Sequence, residues 1–298
     1  MKIRFAGDGK VFNTHSEGIP YLSFDMLDRL GLPNLYSTRY ESWDDAAGRG
    51  VTGLRTALMN GDDIHEAGPV ITDTRDRLAR QLGSSIEMEC ITDQKHTGFV
   101  HVVREEDLGT VYHDEKPLHR QYADGLVTDI PDVLLTVFGG DCPPVYLADP
   151  VHKAIGLVHA GWKGTLARIP EVAIAQMRVR FDSDPADMYA AVGPGICKEC
   201  YEMGDEVYEI FEDKWGHDAA ERILGSYPAP QEERGWKYHL DLREANRMTL
   251  LRAGIPEDRI AVSNVCTMCN ADTFYSYRAH RMENEQVAML VNRFGKDN

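Results

Sequence analysis

"GDCPPVYLADPVHKAIGLVHAGWKGT", residues 140 to 165, decides the fold class and raises the question of chemistry. It holds two short apolar runs, "PVYLAD" and "KAIGLVHA", and a third, "DVLLTVF", comes just before it. Runs this apolar predict strands buried on both faces. Cys142 follows one hydrophobic run and His159 lies at the end of the next. A thiol and an imidazole that meet in a fold can act as nucleophile and base, or as two ligands of one metal. The plain alternative is a small core cysteine and a satisfied strand histidine. Local chemistry argues for a site: Asp141 precedes the thiol, Pro143 and Pro144 stiffen the chain after it, and "HAGW" sets small residues beside the imidazole.

Outward from this stretch, strands and helices alternate. "SIEMECIT" and "GFVHVVR" predict strands joined by a bend at Gln94 to Thr97, and "DMYAAVGPG", "RIAVSNV" and "VAMLVNRF" predict more. "TDTRDRLARQLG" predicts a helix that Thr72 caps and Gly83 ends, after an irregular stretch from Glu41 to Gly68. "TLARIPEVAIAQMRVRF" has helical spacing with Pro170 near its first turn, and "YEMGDEVYEIFEDKWG" is an acidic amphipathic helix. "DLREANRMTLLRAGI" carries the clearest signals: Asp241 caps, Glu244 completes a capping box and Gly254 stops the helix. The expected fold is α/β (α+β), with mixed β-sheets sandwiched by helices in a single domain.

The chain has 298 residues and a formal net charge of −16. That charge opposes nucleic acid and anionic membranes as partners, so an anionic substrate needs a local basic pocket. No run is apolar enough to span a bilayer, and the first residues lack a signal-peptide core, so a cytoplasmic location is expected. In that compartment the six cysteines are ligands, nucleophiles or buried hydrophobes rather than disulfides.

Two metal readings compete. His96, at the predicted bend, would join Cys142 and His159 in a three-ligand set with an open fourth position, the pattern of catalytic zinc. Against it stand two CxxC units, Cys197/Cys200 and Cys266/Cys269, the sequence form of a four-cysteine structural zinc site. Their separation is far longer than in zinc ribbons, and four reduced thiols lining a loop region is the simpler account. Arg39, Lys163 and Arg278 each follow a strand or sit in a loop, and together would supply a positive field for phosphate.

The stretches "GDCPPVYLADP", "GLVHAGWKGT", "AVGPGICKECYEMGDEV", "YHLDLREANRMTLLRAGI" and "CTMCNADTFYSYR" resemble, in order, the motifs of the laccase-domain family. That family was named for multicopper polyphenol oxidase activity and is described as zinc-dependent purine nucleoside phosphorylases. The resemblance runs from about Tyr36 to the last strand, making residues 36–298 the domain and 1–35 an N-terminal extension packed on it. It implies a zinc site of His96, Cys142 and His159, with copper as the alternative metal, and leaves the paired cysteines outside the ligand set. It implies phosphorolysis of adenosine, inosine, guanosine and methylthioadenosine, with adenosine deamination as a companion activity. The implied partners are these nucleosides and phosphate, the implied state a monomer or homodimer. Asp141 is the expected proton shuttle or orienting group, and Arg39, Lys163 and Arg278 the expected phosphate cradle.

The chain departs from the family pattern in three places: "STRYES" lacks the glycines after Arg39, "GWKG" has Lys163 for arginine, and "AHRMENEQVAML" replaces a glycine- and arginine-rich motif. These changes bear on substrate range more than on metal binding. Two rivals remain: a cysteine hydrolase or amidase using Cys142 and His159, and a copper-dependent phenol oxidase. The 11 histidines form no HxH pairs, which disfavours a multicopper centre.

Overall fold

Side-chain alternation along the central strands sets the layers. On Leu134–Gly139, Leu135 and Val137 join a core with Tyr146, Leu157 and Ala191, while Leu134 and Phe138 join another with Leu78 and Ala79. On Ala154–His159, Ile155 and Leu157 enter the first core, and Ala154 and Val158 a third with Ala173 and Met177. Splitting of period two between separate cores means that the central strands of both sheets are buried on both faces. The computed structural model describes residues 3–7, 9–40, 64–109, 120–228, 236–281 and 285–295.

Seven strands form one mixed sheet, in the order Phe12–His15, Tyr21–Phe24, Asn34–Ser37, Gln286–Val291, Leu134–Gly139, Glu89–Thr92 and Arg120–Gln121. Six form the second, in the order Ile260–Val262, Tyr189–Val192, Pro144–Asp149, Ala154–His159, Gly125–Thr128 and Val100–Val102. The first core lies between these sheets, and the Tyr146 hydroxyl crosses it to donate to the Leu35 carbonyl at 2.7 Å. Helix Ile64–Gln81 covers the outer face of the first sheet. Its Arg75 forms a fully buried ion pair with Glu89, which fixes the helix to the strand beneath it. Helices Ile169–Phe181 and Leu242–Ala253 cover the outer face of the second sheet. A small sheet of Glu202–Met203, Trp236–Leu240 and Leu224–Pro228 packs with helices Asp205–Trp215 and His217–Ile223 around Phe211 and Ile223.

The mixed α/β architecture, with sheets sandwiched by helices, agrees with the expectation from sequence. Local punctuation was less reliable. The first long helix begins at Ile64, so Thr72 lies inside it rather than capping it. It also takes in residues 64–68 of the stretch expected to be irregular, while 41–63 lies outside the described residues. The helix expected from Thr165 is two, Trp162–Leu166 and Ile169–Phe181, broken at Arg168, which is left-handed (φ 56°). Asp241 does cap its helix, accepting from the Glu244 amide at 3.0 Å, and Gly254 ends it at φ 106°. The Glu244 carboxylate bonds to Arg222 and Arg247.

Candidate metal and active site

Two chain crossings between the main sheets leave from the same end of the sandwich. Residues 93–99 connect Glu89–Thr92 in the first sheet to Val100–Val102 in the second, and residues 140–143 connect Leu134–Gly139 to Pro144–Asp149. Glu89–Thr92 and Leu134–Gly139 are parallel, so both crossings begin at one edge. Ala154–His159 runs antiparallel to Pro144–Asp149 with His159 opposite Pro144, which returns the chain to that edge. By strand alternation His159 shares the inter-sheet face of Ile155 and Leu157. The topology therefore brings His96, Cys142 and His159 together, with their ligand atoms all within 4.8 Å of one another. Accessibility is graded: His159 is buried (3% exposed), Cys142 intermediate and His96 exposed.

Asp124, which the sequence reading missed, organises this set. It sits just before Gly125–Thr128, and its carbonyl accepts from the His159 amide at 2.6 Å. Its carboxylate accepts from His159 Nδ1 at 3.0 Å and from the amides of Lys95, His96 and Thr97 at 3.1, 2.9 and 2.7 Å. The Thr97 hydroxyl donates to it at 2.8 Å. One carboxylate thus holds both the His159 ring and the backbone of the turn bearing His96. With Nδ1–H committed to Asp124, Nε2 of His159 is the ring nitrogen left to face Cys142 or a metal ion. No signal in "YADGLV" distinguishes Asp124 from an ordinary turn aspartate, because its partners lie 27 to 35 residues away.

Gly161 packs directly against the set. A Cβ there would lie 2.8 Å from Cys142 Sγ, 3.2 Å from His96 Cδ2 and 3.5 Å from His159 Cε1. The glycine of "HAGW" therefore permits a close approach to all three side chains that a residue with a Cβ would disturb. His96 itself has φ 57°, a left-handed conformation uncommon for a side-chain-bearing residue, held by the Asp124–amide bonds.

Electrostatics favour an ionised thiol. Burial raises the Cys142 pKa, but the His159 charge and hydrogen bonds from His159 and His96 outweigh it and bring it down to about 7. Burial lowers the His159 pKa, but the Cys142 and Asp124 charges and their hydrogen bonds raise it to about 10. Burial likewise raises the Asp124 pKa, yet the bonds from His159 and Thr97 hold it well below the carboxylate range. Two imidazoles and a half-buried thiol biased toward thiolate are zinc donors by type, and Asp124 completes the carboxylate–histidine support usual behind such a ligand.

The other expected site residues fall into two groups. Asp141 is buried, and its carboxylate accepts from Thr267 Oγ1 at 2.5 Å, Ser276 Oγ at 3.0 Å and the Arg278 amide at 2.7 Å. Both oxygens are occupied by fixed donors, an arrangement that locks a loop rather than one that moves a proton. Among the basic residues, Arg39 Nη1 donates to the Ala271 carbonyl at 2.8 Å and its guanidinium lies 5.2 Å from the Tyr275 ring centroid. Arg278 Nη2 donates to the Glu202 carbonyl at 3.0 Å, over the Tyr201 ring. The 271–280 segment thus gathers Arg39 and Arg278. Lys163 comes from a separate element, the short helix after His159, and is exposed beside Trp162.

Residues 50–292 match the family model described as multi-copper polyphenol oxidoreductase laccase. A purine nucleoside phosphorylase of Deinococcus radiodurans is 37% identical over 261 residues, 88% of each chain. The adenosine deaminase RL5, from an unknown prokaryotic organism, is 35% identical over 227 residues, 76% of this chain and 82% of its own. The crystal structure of YlmD from Geobacillus stearothermophilus superimposes with a TM-score of 0.76 at 29% identity, covering 95% of this chain and 99% of that one.

Proposed function

The chain belongs to the multi-copper polyphenol oxidoreductase laccase family, and from that premise we propose that it is a zinc-dependent purine nucleoside phosphorylase that also deaminates adenosine. The observation that carries this reading is the convergence of His96, Cys142 and His159 with Asp124 behind them. Relatives named for both activities support it. Zinc, when held by these three residues with a position open, supplies Lewis acidity toward a substrate oxygen.

The chain's own residues do the rest. Asp124 fixes the tautomer and direction of His159 and the backbone carrying His96. Asp141 positions Cys142 by anchoring the loop to Thr267, Ser276 and Arg278. Arg39, Arg278 and Lys163 provide the local positive charge that a phosphate dianion requires against a net charge of −16. At physiological salt, charges beyond about 8 Å are largely screened, so a cradle of these residues acts only on an anion bound beside it. In phosphorolysis a phosphate oxygen bonds to the ribose anomeric carbon while the bond to the purine nitrogen breaks and its electron pair leaves with the base.

One observation favours a second reading. Cys142, His159 and Asp124 also form a thiol–imidazole–carboxylate series, the order of a cysteine hydrolase. Metal dependence separates the two. Protein stripped by chelator should lose inosine phosphorolysis and adenosine deamination and regain both on adding zinc, and Cys142→Ala should lose both activities and this metal. Hydrolysis of amide or ester substrates by the stripped protein, with no zinc requirement, would favour the cysteine hydrolase. Reactivation by copper alone would favour the oxidase.

A further inference from the structure

The four remaining paired cysteines are not scattered. Tyr189–Val192 and Ile260–Val262 are adjacent parallel strands, with Val192 opposite Val262. Each continues past the sheet into a CxxC turn, and an isolated parallel bridge between Gly195 and Cys266 keeps the two extensions side by side. Parallel register thus delivers Cys197, Cys200, Cys266 and Cys269 to one place although the pairs are 69 residues apart. All four sulfurs lie within 4.8 Å of one another. All four are free thiols.

We propose that these four cysteines bind a second zinc ion in a closed, structural tetrathiolate site. Thiolates about 2.3 Å from one tetrahedral zinc are separated by about 3.8 Å. Cys200 and Cys269 Sγ are 3.6 Å apart, and Cys197 and Cys269 Sγ 3.9 Å. A multi-iron cluster spreads its thiolates over several metal atoms and suits this compact set less well. Cys266 Sγ also accepts from the amides of Cys197 at 3.2 Å and Cys269 at 3.4 Å, donors that offset thiolate charge. Binding would release the thiol protons to solvent.

The site braces the neighbouring one. Thr267, between Cys266 and Cys269, donates to Asp141 Oδ1, and the Ile196 amide, just before Cys197, donates to the Asp141 carbonyl at 2.9 Å. Both CxxC turns therefore grip the residue preceding Cys142.

Zinc analysis of the full-length protein, purified without a histidine tag, tests this independently of the proposed activity. Wild type should hold about two zinc ions per chain, and Cys142→Ala about one. The double variant Cys200→Ser/Cys269→Ser should lose one zinc ion and melt lower by roughly 5 °C or more. Should that variant fail to fold, cobalt-substituted Cys142→Ala protein provides the answer, because four thiolates give intense sulfur-to-cobalt absorption. Zinc-free Cys142→Ala protein, a cobalt form without that absorption, or mass spectra showing the four cysteines as disulfides would each overturn the proposal.

Discussion

The His96–Cys142–His159 set and the four-cysteine set occupy linked loops but follow opposite rules. The first mixes imidazole with thiol and packs against Gly161 without room for a Cβ. The second uses four like donors and turns backbone amides onto a sulfur. Three ligands with an open position suit chemistry, whereas four without one suit a fastener. The contrast teaches that the mixed set is positioned from outside its ligands. It depends on an absent side chain at Gly161 and on the Asp124 carboxylate, which holds the ligands from behind.

The largest effect should come from adding a side chain at Gly161. Gly161 has φ −65° and ψ 172°, a backbone that alanine adopts without strain, so Gly161→Ala tests space alone. Its Cβ would press on Cys142 Sγ at 2.8 Å and on His96 at 3.2 Å. Turnover of inosine should fall by about 100-fold or more, as expected when reacting groups move by an ångström. Circular dichroism should show the fold intact, and zinc at the four cysteines should remain. Wild-type turnover in this variant would mean that the working site lies elsewhere.

Asp124→Asn should act next most strongly. The amide keeps one acceptor but cannot hold both the His159 ring and the amides of Lys95, His96 and Thr97 as an anion does. Outer-shell changes of this kind cost about 10- to 100-fold in metal affinity. Competition with a chelator, measured well below the melting temperature, should show zinc lost earlier from this site than from the four cysteines. Equal loss from both would make Asp124 a general stabiliser rather than a positioning residue.

Much of the open set was legible in the sequence, for physical reasons. Apolar runs of buried strands announced the sandwich, and Cys142 in the connection between two of them and His159 at the end of the next stood out as polar groups. His96 entered through its place at a bend. Asp124 was silent because its role is defined by partners in other elements, none near it in sequence. The four-cysteine cluster was visible as motifs but discounted on separation and on the family resemblance, since parallel pairing of Tyr189–Val192 with Ile260–Val262 is a tertiary fact. Thr72 misled because a capping residue type says nothing about the turns before it, and the helix already begins at Ile64.

The smallest expected effect concerns the anion. Lys163 stands where the family prefers arginine, on the helix directly after His159, exposed, its Nζ 5.6 Å from the Trp162 ring centroid. Gly164 beside it packs so closely that a Cβ would meet the Thr97 carbonyl at 3.2 Å and the His159 carbonyl at 3.3 Å, so the helix rests on the backbone next to His96 and at His159. An ammonium there offers a point charge, whereas a guanidinium offers a planar fork that matches two phosphate oxygens. One added hydrogen bond of ordinary net strength corresponds to about a 2- to 10-fold change in binding. Lys163→Arg should therefore lower the KM for phosphate in inosine phosphorolysis by that factor, with kcat little changed. Arg39→Ala should raise that KM, although its bonds to Ala271 and Tyr275 mean stability must be measured alongside. Adenosine deamination consumes water and no phosphate, so it should respond much less to either change. Should Lys163→Arg leave the phosphate KM unchanged while Arg39→Ala damages both reactions equally at saturating phosphate, these residues would position the nucleoside or support the fold, and the anion would be held elsewhere.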